Sequence, residues 1–132
     1  MSKASNYLEE ATLNYFLRGQ TVSQPQGFYV ALYITNPTDA DTGSEVTGGA
    51  YARQQINFSA PVQQADKATI SNTERVEFPT ATAAWGDVAY FGIRDAATGG
   101  HLLVHGAFNK PTTVSEGNKF IIDVGNLTIS IA

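Results

Sequence analysis

Val88-Ala89-Tyr90-Phe91-Gly92-Ile93, then Asp95-Ala96-Ala97-Thr98-Gly99-Gly100, then Leu102 to Phe108, read as strand, turn and returning strand. The first run is rich in β-branched and aromatic residues, which suit a pleated, packed surface. The turn carries an Asp that can bond its own backbone and two glycines that accept left-handed conformations. The sequence therefore predicts an antiparallel hairpin here. Lys110-Pro111 is expected to end it, because proline has no N–H to give to a sheet ladder.

The same punctuation recurs on either side. Upstream, Phe28-Tyr29-Val30-Ala31-Leu32-Tyr33-Ile34 is apolar on both faces, as a central strand would be, and Pro37 stops it. Thr38 to Tyr51 is a long loop ending in Gly48-Gly49, and its length marks it as a candidate functional or assembly loop. Ala52 to Phe58 alternates, and Ala68-Thr69-Ile70 and Val76-Glu77-Phe78 are short strand candidates. Downstream, Lys119 to Val124 and Leu127 to Ile131 flank a Gly125-Asn126 turn. The expectation is a mainly β chain: an antiparallel β-sandwich or barrel of about 7–8 strands, in one domain over residues 1–132.

One segment follows a different period. Asn6 to Arg18 has Leu13, Phe16 and Leu17 at i, i+3, i+4 spacing, widened by Leu8, Thr12 and Tyr15. Asn6 with Glu9 resembles a capping box, Arg18 suits the last turn, and Gly19 is a natural stop. This N-terminal α-helix, about residues 6–18, must lay its apolar face on its own sheet or on a neighbouring subunit.

Composition narrows the functions available. The chain has 132 residues, no cysteine and a formal net charge of −4, so disulfides and thiolate metal sites are excluded. Its basic residues are scattered, with no stripe that would track a nucleic acid. No stretch approaches the roughly 20 apolar residues of a membrane-spanning helix, and no apolar run follows Lys3 as in a signal peptide. Charged residues are only 15% of the chain, and such a weakly charged surface suits packing against other protein.

Catalytic and metal-binding patterns are thin. His101 and His105 are four apart, but on a strand that spacing spans about 13 Å, too far for one ion, so both are read as half-exposed strand residues. Asp39, Asp41 and Glu45 are the one candidate cation cluster, yet Glu45 comes too soon after Gly43 for a calcium loop. Glu74 and Glu77 read as solvated edges, and no serine sits in a nucleophile elbow. The chain is accordingly read as no enzyme, with no catalytic residue and no cofactor. Tyr51, Arg53 and Trp85, with the helix residues Leu13, Phe16 and Leu17, are the candidate interface residues, since Trp, Tyr and Arg are favoured contact anchors. Tyr51 and Arg53 border the long loop and are placed to fix its end.

Several segments together resemble a family of small phage tail fibre or minor tail proteins. They are Ser5-Asn6-Tyr7-Leu8-Glu9, Tyr29-Val30-Ala31-Leu32-Tyr33, Gly43 to Arg53, Phe78-Pro79-Thr80-Ala81, Trp85-Gly86-Asp87-Val88, Phe91 to Leu103, and Gly125 to Ile129. The resemblance implies a structural protein of the virion, tail-associated as a fibre, baseplate or tail-tip subunit. A capsid decoration protein is the alternative, and a carbohydrate-binding module a third reading. It implies other phage structural proteins as partners and contact with a host surface receptor, while the apolar helix face predicts homo-oligomeric or multi-copy assembly and the lack of a signal peptide predicts synthesis in the host cytoplasm. The chain departs from the family pattern at Arg94 and His101, where Phe and Asn are expected, and these departures are read as bearing on surface contacts.

Overall fold

Tyr29–Tyr33 is the strand around which the others are laid. In the computed structural model, which describes residues 2–132, the elements run β1 (Ser2–Ala4), α1 (Asn6–Arg18), β2 (Tyr29–Tyr33), β3 (Gln54–Gln55), β4 (Val62–Gln64), β5 (Lys67–Ser71), β6 (Val76–Glu77), β7 (Gly86–Arg94), β8 (Leu102–Val114), β9 (Ile121–Ile122) and β10 (Thr128–Ile131). All pairings are antiparallel. The largest sheet has the order β1-β8-β7-β2-β3, and two smaller ones are β10-β5-β4 and β6-β9.

Alternation gives the five-stranded sheet two different faces. Val30 and Leu32 of β2 lie opposite Ile93 and Phe91 of β7, and Ile93 lies opposite Val104 of β8. These residues pack on Ile70, Val76, Ile122 and Ile129 from the smaller sheets and on Leu127 just before β10, so the core lies between two layers, as in a sandwich. Ala31, Tyr33, Gly92 and His105 take the other face, and their register places Tyr33 beside Tyr90 and Gly92 beside His105.

Two strands were not expected. β1 is short and polar, and β4 is fully exposed, so neither has a hydrophobic pattern to betray it. The β4–β5 hairpin turns on Ala65 and Asp66, both at positive φ (44° and 67°), the geometry of a type I′ turn without its usual glycine. Pro111 does not end β8, which continues to Val114. Between Val88↔Thr112 and Tyr90↔Ala107 the ladder slips, and Pro111 falls in the excess length of β8, where no N–H is required. Gly125 and Asn126 join strands that belong to different sheets and do not pair with each other.

The helix begins one residue earlier than a cap at Asn6 would place it. Ser5 is the N-cap: its Oγ accepts from the Leu8 N–H at 3.1 Å and donates to the carbonyl of Leu102. The Ser5 N–H also binds the Leu103 carbonyl, at 2.9 Å, so the cap bolts the helix to β8. Gly19, at φ 65°, closes the other end in the left-handed conformation expected of it.

Candidate functional site

The loop over residues 36–53 does not hang free. Its backbone runs back along the outer edge of β2, where Ile34 N–H binds Ser44 O and Val46 N–H binds Leu32 O, each at 2.9 Å. The loop then bulges outward before β3 resumes the edge. In that gap the Leu32 N–H is taken by the hydroxyl of Tyr51, at 3.0 Å, so a side chain completes a ladder that the backbone has left. The Tyr51 hydroxyl in turn donates to Glu45 Oε2 at 2.6 Å.

Glu45 is the hinge of this arrangement. Arg53 clasps it with two bonds of 2.8 Å and sends Nη1 to the carbonyls of Ala96 and Gly99, both at 2.9 Å. Burial pushes the Glu45 carboxyl up, but hydrogen bonds from Arg53 and Tyr51 outweigh it and hold the group below the usual glutamate range. Burial and the bond to Glu45 push the Tyr51 hydroxyl far up, so it stays protonated and donates.

A second clasp lies beside the first. Arg94 grips Asp41 with two 2.8 Å bonds and reaches the Tyr33 hydroxyl at 3.0 Å and the Gly100 carbonyl at 3.0 Å. The departure at Arg94 is therefore internal: its side chain is 9% exposed and ties the 38–51 loop to the 95–100 turn. Farther along, His105 Nε2 donates to Asp39 Oδ1 at 2.7 Å, and the Asp39 carbonyl accepts the Asn6 N–H at 2.8 Å. His105 is buried, not half-exposed. His101 stands just before β8, stacked on Tyr7 at 3.9 Å, with Nδ1 3.0 Å from Asp95. Burial raises the Asp95 carboxyl, but the His101 backbone and ring outweigh it and hold it low.

The candidate cation cluster is thus taken apart. Asp39, Asp41 and Glu45 face three separate partners, His105, Arg94 and Arg53. Among the described residues no group of three His, Asp or Glu is placed to hold a metal ion. Glu77 is likewise engaged, with Lys119 at 2.6 Å. Thr38, at φ 61°, is a β-branched residue in a costly conformation. Its N–H binds Asn36 Oδ1 at 2.9 Å and its hydroxyl meets that of Thr42 at 2.6 Å.

The six candidate interface residues divide evenly. Trp85 is buried, 5% exposed, with its ring edge-on to Tyr51 and Phe78 and its Nε1 donating to the Gly49 carbonyl at 2.9 Å. A side chain at Gly49 would fall 2.7 Å from the Ala83 carbonyl and 2.8 Å from the Trp85 ring, which explains the glycine there. Tyr51 and Arg53 are absorbed in the loop clasp. These three residues work inside the domain and present little surface to a partner. Leu13, Phe16 and Leu17 are the reverse: no residue of α1 is buried, and these three are 55%, 74% and 78% exposed.

A β scaffold that spends its buried charges on its own loops and carries an uncovered apolar helix is a building block, and the chain matches the phage fibre proteins over residues 3–130. The matching family is described as podophage GP4 fiber I protein gp80, and the chain belongs to it. Membership makes it a tail-associated structural component of the virion, in contact with other virion proteins. No curated protein matches the chain.

Proposed function

We propose that this chain is a subunit of the tail fibre that acts through assembly contacts, and that the contact is the Leu13, Phe16 and Leu17 face of α1. The observation that carries this reading is the helix itself: 13 residues, capped at both ends and fixed to β8, with no buried residue. Most helices in proteins are stable because an apolar face is packed. Here that face is open, and exposed apolar surface of this kind marks interaction sites. The loop clasps serve the same reading by keeping the sheet rigid behind the helix.

The test is the copy number of the protein in purified particles, measured by quantitative mass spectrometry against the major capsid protein. A few to a few dozen copies are expected. A ratio near one per capsid subunit would move the assignment to a decoration protein of the head, and absence from particles would end both readings.

A further inference from the structure

An open apolar groove of about 460 Å³ runs between the five-stranded sheet and the β5–β10 layer. Leu8, Phe58, Ile70, Val104, Ile129 and Ile131 line it, and no charged residue does. Ile131 at its mouth is 65% exposed. The molecule therefore has two uncovered apolar surfaces, a ridge on α1 and a furrow beside its root.

The chain's own helix cannot fill its own groove. Leu8 forms part of the groove wall, and at 1.5 Å per residue the Leu13–Leu17 stretch lies about 8–14 Å farther along the axis. We infer that the Leu13, Phe16 and Leu17 face of one copy seats in this groove on a second copy, joining copies head to tail. The inference rests on the assembly reading above and names its partner. At their exposures of 55%, 74% and 78%, Leu13, Phe16 and Leu17 offer on the order of 400 Å² of apolar surface, about half of the roughly 800 Å² each partner gives to a standard interface. The docking also strands no charge, because neither the groove lining nor the three ridge residues carries one. Ridge and furrow are different surfaces, so the contact is heterologous and closes into a ring when the rotation between copies permits.

The absence of native cysteine makes the test clean. In the full chain, Phe16→Cys with Ile131→Cys should cross-link into dimers and larger species on mild oxidation, and neither single variant should. Cross-linking by Phe16→Cys alone would mean helix-to-helix pairing and overturn the inference. Phe16→Asp and Ile131→Asp, each checked for its fold by circular dichroism, should each lose every species above monomer in sedimentation. Their mixture should recover a dimer and stop there, since it holds one intact ridge and one intact groove. A chain that stays monomeric at every concentration, with no cross-link in the double variant, overturns the inference. Copy number in particles is measured independently, so that result would leave the tail assignment standing and give the helix to another virion protein.

Discussion

Residues 36–53 and helix α1 both attach to the five-stranded sheet, and they are finished in opposite ways. The loop carries three carboxylates, and each is met by a cation or imidazole within 2.8 Å. Among the described residues no buried side-chain nitrogen or oxygen lacks a partner. The helix is tied down only at its root, and its largest apolar groups face solvent. Burying charges without partners would cost more than folding yields, so the loop had to be completed within the chain. Exposed apolar groups cost far less to leave waiting. A region meant for a partner can stay open in apolar chemistry, and a region meant to be rigid closes its polar chemistry first.

The sharpest way to break this comparison is Arg94→Met. It strands Asp41 and the Tyr33 hydroxyl, and removing one partner of a buried pair costs about 3–5 kcal/mol. Asp41 is partly exposed, so a loss near about 3 kcal/mol is expected in urea unfolding. A loss under about 1 kcal/mol would show that the clasp is ornamental. Tyr51→Phe keeps the ring packed but orphans the Leu32 N–H and one bond to Glu45, and should cost about 1–3 kcal/mol.

Acid should release the loop before the helix. The Glu45 carboxyl lies lower in the folded chain than unfolded. Its contribution is therefore full above the unfolded value of about 4.3 and fades as pH falls through the folded one. The stability of the unmodified chain should drop in that window, and Glu45→Gln should flatten the drop. An unchanged profile in the variant would remove Glu45 from the account. The smallest effect is expected at the helix: Leu13→Asp should leave unfolding stability within about 0.5 kcal/mol while abolishing self-association. Should Leu13→Asp unfold the monomer, the helix would belong to the domain's own core and the contrast would collapse.

The parts legible in sequence are those whose signal is local. β2, β7 and the first half of β8 carry dense apolar runs and a glycine-rich turn, and all three are found. The helix and its Gly19 stop are found as well, because period and cap lie within a few residues of one another. Its bounds agree with the sequence reading, and only the cap differs, because Ser5 and Asn6 are both good caps. What decides for Ser5 is the Leu102 carbonyl, 97 residues away. The clasps fail to show for the same reason. Asp39, Asp41 and Glu45 stand together in sequence, while Arg94 and His105 reach them across separations of 53 and 66 residues. Trp85 and Phe16 are both large aromatics, and only the folded chain shows that the first is inside and the second outside.

The pairing of β1 with β8 sets an order of events during folding. Ser2, Lys3 and Ala4 meet Gly106, His105 and Val104, partners made about a hundred residues later. Until β8 exists the N-terminal strand has nothing to join, and α1 has no Leu102 or Leu103 carbonyl to bolt to. Pairings so distant along the chain are slow to form. The direction of the helix is therefore fixed only once β8 is in place behind it, and until then its sticky face has no set orientation.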